Sequence, residues 1–474
     1  MRVVLIQPKA YRHAPDWVYE PMNLGYLGSY LISHGHKNVK VKIGAWDTEK
    51  NIIKEASKAD VVGITATSPM FIHGLHLAQQ IKRTGRDPLI VFGGTHATCL
   101  PESTLKNPAI DLVVRGEGEA TFLEIVKTVQ ESGDFSSVLG ISLRRDGGIQ
   151  HNPHRPLIED LDSIPPPSRK LTRLNKFSEI YRMSLGKRTA NMLSSRGCPF
   201  QCTYCASHSV WTRKCRMRSP ENILDEIADL IKYYKIGRIN FHDDTFTIDK
   251  NRVIEFCDRV IKSGLKFQWG CNVHVNTVDR ELLQKMQEAG CDEIWIGVES
   301  GSPEILKAIK KNSNISKIKE VFADARELSI RRHAYLMVGV SEENRETIQA
   351  TRQLVEDIQP DIAAVTIFTP YPGCEAYEEA KKSGYVKDDM DWSNVDLHHT
   401  VSMPTSYLTK DELTEEFQKL SKEYSHFKRQ APKRSLSDKI RFKLKTASLR
   451  DYPGLIVKLI IKIICLPGIL SKRK

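Results

Sequence analysis

The chain has 474 residues, 40% of them hydrophobic and 27% charged; at roughly 150 residues per domain this predicts two or three domains and excludes a largely disordered polymer. The net charge of +12 ordinarily suggests nucleic acid or an anionic membrane, but it is confined: residues 428–474 hold 14 Lys+Arg against two acids, Asp438 and Asp451, and Met1–Phe427 is electrically balanced. A nucleic-acid-binding body is therefore disfavoured, and the basic character belongs to a tail.

Met1–Pro8 is too short an apolar run for a signal-peptide core, and no stretch reaches about 18 uncharged apolar residues. The ten cysteines read as thiols or metal ligands in a reducing cytoplasm, not as a disulfide framework. Strands are predicted at Arg2–Gln7, Val39–Ile43, Asp60–Ala66, Leu89–Phe92 and Asp111–Val114. Helices are predicted at Leu24–His34, Asn51–Lys58, Leu75–Arg83 and from Thr121. This alternation predicts a doubly wound, Rossmann-like α/β domain over residues 1–147, whose ligands sit beyond the carboxyl ends of its strands. Three turns fall at those ends: Thr65–Ser68, with Thr67 and Ser68; Gly93-Gly94-Thr95-His96; and Gly116-Glu117-Gly118-Glu119. No Gly-x-Gly-x-x-Gly follows the first strand, so the dinucleotide fingerprint is absent.

Residues 148–189, with Pro165-Pro166-Pro167 and no clear period, are expected to be a linker. Across 190–383 the alternation resumes. Strands are predicted at Asn191–Ser195, Arg238–His242, Gln268–Val273, Glu293–Val298, His333–Val338 and Ile362–Phe368. Helices are predicted at Pro220–Tyr234, Lys250–Lys262, Asp279–Ala289, Ile315–Leu328 and Asn344–Asp357. Six strands in about 180 residues fit a partial (β/α)6 barrel, since a full one takes about 250. Residues 384–427 read as a helical wrap and 428–474 as a basic amphipathic tail. Within the tail, Pro453 and Pro467 bracket an apolar helix of roughly 18 Å, too short for about 30 Å of hydrocarbon. Lys458 and Lys462 share one face, as in an interfacial helix on an anionic membrane. The tail lacks the aromatic interleaving of a single-strand binder.

The decisive motif is Gly197-Cys198-Pro199-Phe200-Gln201-Cys202-Thr203-Tyr204-Cys205, just after the first barrel strand. Three thiolates on one tight loop can each bind an iron of a cubane and leave the fourth iron open. Zinc sites want four ligands, and no second cysteine pair stands at such spacing; His208 reads as a loop histidine. Asp243 and Asp244, ending the second barrel strand, are placed to accept hydrogen bonds from an ammonium beside such a cluster.

At this point the sequence resembles the radical S-adenosylmethionine (SAM) superfamily, over roughly Ala190–Cys374, including the aromatic Tyr204 before the third cysteine. The resemblance implies a 4Fe–4S cluster on Cys198, Cys202 and Cys205, SAM chelating the free iron, an external one-electron reductant, and a 5′-deoxyadenosyl radical. It implies that Glu299, with Ser300, contacts the SAM ribose, and that Gly339 ends the adenine-contacting strand, although Ser341-Glu342 departs from the usual form. The N-terminal turns resemble the cobalamin-binding domain fused to many such enzymes, which places cobalamin over Thr67, Ser68, Gly93, Gly94, Thr95, His96, Gly116, Glu117 and Gly118. The Asp-x-His-x-x-Gly of carriers with a protein ligand on cobalt is replaced by Gln7–Asp16, so His13 is not proposed as that ligand, and His96 reads as a cap or corrin-amide contact.

Together these imply a cobalamin-dependent C-methyltransferase acting on an unactivated carbon of a lipid, terpenoid or tetrapyrrole-like substrate. The alternatives are an oxidative cyclase or oxidoreductase of the same family, and an iron–sulfur or corrinoid carrier. A tRNA methylthiotransferase is disfavoured because that class has three N-terminal cluster cysteines, where this chain has only Cys99. The expected location is cytoplasmic, peripheral to the inner membrane face through the tail.

Overall fold

The structure, a computed structural model, describes residues 1–10, 20–392, 395, 398 and 401–427; His13 and the basic tail lie outside the described residues. The first sheet contains β1 (Val3–Gln7), β2 (Val39–Ile43), β3 (Val61–Thr65), β4 (Leu89–Gly93), β5 (Leu112–Val114), β6 (Ile141–Arg145) and β7 (Gly148–His151). Their order is β2-β1-β3-β4-β5-β6-β7. The first five run parallel, with Val3 beside both Val39 and Val61. Helices cover both faces, so the apolar runs divide by the two-residue strand period. Val3 and Leu5 pack with Val41, Val61 and Val91, whereas Val4 and Ile6 pack with Val62, Ile64, Ile90 and Phe92.

The sheet extends past the expected boundary at residue 147. Asp146 and Gly147, both with positive φ, form a two-residue hairpin loop that returns β7 antiparallel to β6, the backbone such a turn requires. The stretch expected to be a linker also holds a helix, Leu174–Leu185. The third helix of the domain spans Ser68–Lys82, starting earlier than its apolar period suggests because Pro69 occupies its first turn.

The second sheet begins with β8 (Thr189–Met192). A short antiparallel pair, β9 (Ser195–Arg196) and β10 (Arg216–Met217), then encloses the cysteine motif. The sheet continues with β11 (Arg238–Phe241), β12 (Gln268–Val273), β13 (Cys291–Glu299), β14 (Arg331–Val338) and β15 (Ile362–Ile367). Its six strands are parallel and follow chain order across the sheet, as a partial barrel predicts. The intervening helices begin at side-chain caps: Ser219, Asp249, Asp279, Asn314 and Asn344 each accept a backbone N–H of the first turn. The helix Lys410–Glu423 lies in the expected wrap, and the Phe427 carbonyl accepts the Ala363 N–H at 3.2 Å, at the β15 edge.

Buried charges join the two sheets. Arg169 donates to Glu20 at 2.7 Å, to Glu226 at 2.8 Å and to the Asn191 carbonyl at 2.9 Å; Arg218 completes the set on Glu226 at 2.6 Å. Burial pushes the Glu226 carboxyl up, but Arg218 and Arg169 outweigh it and hold the group below its ordinary range. Replacing Arg169 by Met leaves the buried Glu20 carboxylate without its cation and Glu226 with Arg218 alone, and removal of one partner of such a set costs about 3–5 kcal/mol. The expected outcome is a correspondingly lower urea midpoint by circular dichroism, with Arg169→Lys recovering only part because an ammonium lacks the planar fork.

Candidate active site

The cysteine loop is held at both ends. Gly197 has φ +94°, and a Cβ there would collide with the Lys214 carbonyl, so only glycine fits. Cys215 donates its thiol to the Gly197 carbonyl at 2.9 Å. Thr203 N–H donates to the Ile309 carbonyl at 3.1 Å, and Ala376 N–H to the Thr203 carbonyl at 3.0 Å. Cys198, Cys202 and Cys205 are free and partly exposed. Burial pushes the Cys202 thiol up and the Cys205 thiol up to about 11. Among the described residues no three His, Cys, Asp or Glu side chains close on one point as ligands of a single ion do; a cubane asks instead for three thiolates, each on its own iron.

The strand ends meet this loop. Tyr204 donates to Glu299 Oε1 at 2.9 Å, as does Lys311 at 3.1 Å. Glu299 itself sits at φ +63°, beside a register shift between β13 and β14. Burial pulls the Lys311 ammonium down, but Glu299 and Cys202 outweigh it, so the amine titrates above its ordinary value. Asp244 accepts from Ser207, two residues past Cys205. Asp243 is fully buried: its Oδ1 accepts from Ser194 N at 3.0 Å and from the Ser194 and Ser195 hydroxyls, while its buried Oδ2 has no partner among the described residues. Ser300 is committed to its own turn, bonding Thr351 and the Ser302 N–H.

Two groups lie beyond the sequence reading. Glu343 folds back from the loop after β14 to accept the Gly339 N–H, and its buried Oε1 has no partner among the described residues. Ser341 and Glu342 stand in that loop, and Glu343 supplies the acid that closes it. The second group is the sheet face opposite the helices. Ile294, Ile296, Val298, Ala334 and Leu336 enter the core, which turns Trp295, His333 and Tyr335 the other way by strand alternation. His242 stacks on Trp295 at 5.8 Å, and His333 lies 4.4 Å from Tyr335. The period-two signal is present in the sequence, but a search for apolar runs sees only the helix-facing half.

At the carboxyl ends of β3, β4 and β5 lies a cavity of about 220 Å³, lined by Asn23, Leu27, Gly93, Gly94, Thr95, Gly116, Glu117 and Gly118 on one side and by Leu193, Arg196, Val210 and Trp211 on the other. Thr67, Ser68 and His96 are not among its lining residues. His96 is buried against Phe71 at 4.1 Å and bonds Ser68 at 3.0 Å. Glu117 faces the barrel: it accepts from Arg196 at 2.8 Å, from Arg216 at 2.9 Å and from the Ile158 N–H at 2.8 Å. Glu119 accepts from Arg196 at 2.6 Å.

The Radical SAM superfamily profile matches residues 192–355, and the B12 binding domain profile matches residues 9–126. The chain is 33% identical to an uncharacterized methyltransferase of Pyrococcus horikoshii over 388 residues, 80% of this chain and 83% of that one. This chain belongs to the radical SAM enzymes that carry a B12 binding domain. It is also 31% identical, over 393 residues, to the anaerobic magnesium-protoporphyrin IX monomethyl ester cyclase of Rubrivivax gelatinosus, covering 80% of this chain and 70% of that one. Its fold is shared by TsrM of Kitasatospora setae, a radical SAM methyltransferase solved with cobalamin and a 4Fe–4S cluster bound. The TM-score is 0.68 at 17% identity, over 82% of this chain and 76% of that one.

The cofactor set of such a radical SAM enzyme is a 4Fe–4S cluster, SAM and cobalamin, and the residues present fit it. The donor set is three thiols on one loop, and a bound iron would deprotonate them, overcoming the upward push that burial gives Cys202 and Cys205. The orphaned Asp243 Oδ2 belongs to a strand end beside that loop, and the glycine-lined cavity has apolar walls with Asn23, Thr65 and Thr95 among them.

Alanine at Cys198, Cys202 or Cys205 is expected to drop iron from about four per chain to near background and to abolish 5′-deoxyadenosine formation, read by iron assay and chromatography. Burial pushes Glu343 from 4.5 up to about 7. A carboxyl raised on folding stabilises fully below its unfolded value, and that stability is lost as pH rises through the folded value. Wild-type stability should therefore fall by about 3 kcal/mol through this group as pH rises from 4.5 past about 7, and Glu343→Gln should flatten that slope in denaturation midpoints.

Proposed function

We propose that the chain is a cobalamin-dependent radical SAM C-methyltransferase acting on an unactivated carbon of a hydrophobic, lipid-, terpenoid- or tetrapyrrole-like substrate. One observation carries the reading: the cavity at the strand ends of the first sheet is walled on its far side by Leu193, Arg196, Val210 and Trp211, which bracket the cysteine loop. Sites for corrinoid and cluster on these elements would adjoin one another, as methyl transfer to a substrate radical requires.

When bound, the cluster and SAM supply a carbon-centred radical and the corrinoid a methyl group. Cys198, Cys202 and Cys205 would hold the cluster. Asp243 and Asp244 would accept from the SAM ammonium and Glu299 from its ribose, with Tyr204 and Lys311 fixing that carboxylate and Gly339 closing the adenine side. Gly93, Gly94, Thr95, Gly116 and Gly118 would receive the corrinoid, and Glu117 holds their turn against the barrel. Trp295, His333, Tyr335 and His242 offer an aromatic wall on the barrel's inner face. Burial holds His242 and His333 down to about 4, so the imidazoles are neutral and suit an apolar or flat conjugated substrate. The tail, 428–474, outside the described residues, is proposed to rest on an anionic membrane surface where such a substrate resides; a low-potential protein would supply the electron.

The relative that is a tetrapyrrole ester cyclase, at 31% identity, favours one second reading, an oxidative cyclisation without methyl transfer. Incubation of the reduced, cofactor-loaded enzyme with methyl-deuterated SAM and candidate substrates separates the two by mass spectrometry. Product carrying the intact trideuteriomethyl group is expected; unlabelled, dehydrogenated product would sink the methyltransferase reading.

A further inference from the structure

The cavity at the strand ends and the cysteine loop share their walls. Arg196 stands two residues before Cys198, and its guanidinium, buried at 6% exposure, reaches back to Glu117 and Glu119 on the turn that lines the cavity. The same cation lies 5.5 Å from the Tyr26 ring and 4.9 Å from the Trp211 ring. Trp211 ends the short helix Ser207–Trp211 that begins two residues after Cys205. A molecule filling the cavity therefore touches the chain just before the triad and just after it.

The path from Arg196 to the thiols is stiff. Residue 197 is confined by its positive φ and by the Lys214 carbonyl, and β9 is paired to β10 with Arg196 opposite Arg216. Arg216 shares Glu117 with Arg196, and its buried Nε and Nη2 have no partner among the described residues. Arg196 and Arg216 balance Glu117 and Glu119, so the set is neutral and moves as one unit, because separating any member leaves an unpaired charge out of water.

We propose that Arg196 and Trp211 couple the two cofactor sites: a corrinoid whose nucleotide tail fills this cavity stiffens the cysteine loop and so tightens the hold on the cluster. The inference rests on the cobalamin reading above and concerns positioning residues, not groups that react. The nucleotide has the chemistry the cavity offers, a flat base against Trp211 and the apolar wall, with ribose hydroxyls toward Asn23 and Thr95. Ordering that a first ligand has produced need not be produced again by the second. The coupling is reciprocal, so an assembled cluster tightens corrinoid binding by the same factor.

The test uses the full chain with its cluster reconstituted anaerobically. Iron release to a chelator is followed with no corrinoid, with hydroxocobalamin, and with cobinamide, which has the corrin ring but no nucleotide; both affinities are measured alongside. Cobalamin at saturation is expected to slow iron release about ten-fold, within the range of ordinary site-to-site coupling, and cobinamide to leave it within about two-fold of the free enzyme. Cobalamin should also bind about ten-fold tighter to cluster-loaded chain than to cluster-free chain. Trp211→Ala should erase the difference between the corrinoids, and the wild-type comparison stands without it if that variant does not fold. Equal protection by both corrinoids, or cobalamin bound without protection, overturns the coupling while leaving the cobalamin reading intact. Failure of hydroxocobalamin to bind overturns that reading and the coupling with it.

Discussion

A guanidinium withdrawn from water must find carboxylate partners or lose several kcal/mol, on the order of a whole domain's margin. Arg169, Arg196, Arg216 and Arg218 are all buried at the contact between the two sheets, and their acids come from both sides: Glu20, Glu117 and Glu119 from the first domain, Glu226 from the barrel. Hydrophobic contact alone would let the domains slide, because it is not directional. Charges sealed in a dry contact do not allow this. Each pair has one geometry, and the relative position of the two sets of strand ends follows from it.

The cysteine loop inherits that position. Arg196 ties its leading end to Glu117 and Glu119, Thr203 is bonded on both sides of the backbone, and Tyr204 is tied to Glu299 at the end of β13. Three thiols are thereby offered from a loop fixed before, within and after the motif. Lys311 beside Glu299 adds a buried cation that acts on Cys202, so the electrostatics of the loop are set by the protein before any metal arrives.

The barrel is legible in the sequence because each of its strands is an apolar run and each following helix opens on a capping side chain; β12 and the helix Pro220–Tyr234 fall where their residues predict them. The hairpin at Asp146-Gly147 is hidden because β7 is polar and lies at a sheet edge, where no apolar run marks it. The triad can be read from spacing alone, a local property. Arg196 and Glu117 cannot be paired this way because 79 positions separate them, and nothing local says that one acid in a glycine-rich turn will face a distant arginine. The aromatic face of β13 and β14 is spelled out in alternation, yet the buried aliphatic half of each strand dominates an apolar count. Glu343 reads as an ordinary acid near a helix start until the fold shows it buried.

The six-stranded sheet has β8 and β15 at its margins, and among the described residues no strand joins one to the other; Tyr335 on its inner face keeps 36% of its surface exposed. A closed eight-stranded barrel fills its own middle with side chains, and its substrates must be small enough to enter at the mouth. An open arc has a flank as well as a mouth. On the function proposed above, a bulky molecule would present one edge to such an arc while the rest of it stays outside, and the limit on a substrate would be how deeply its reacting carbon is recessed, not how large the molecule is.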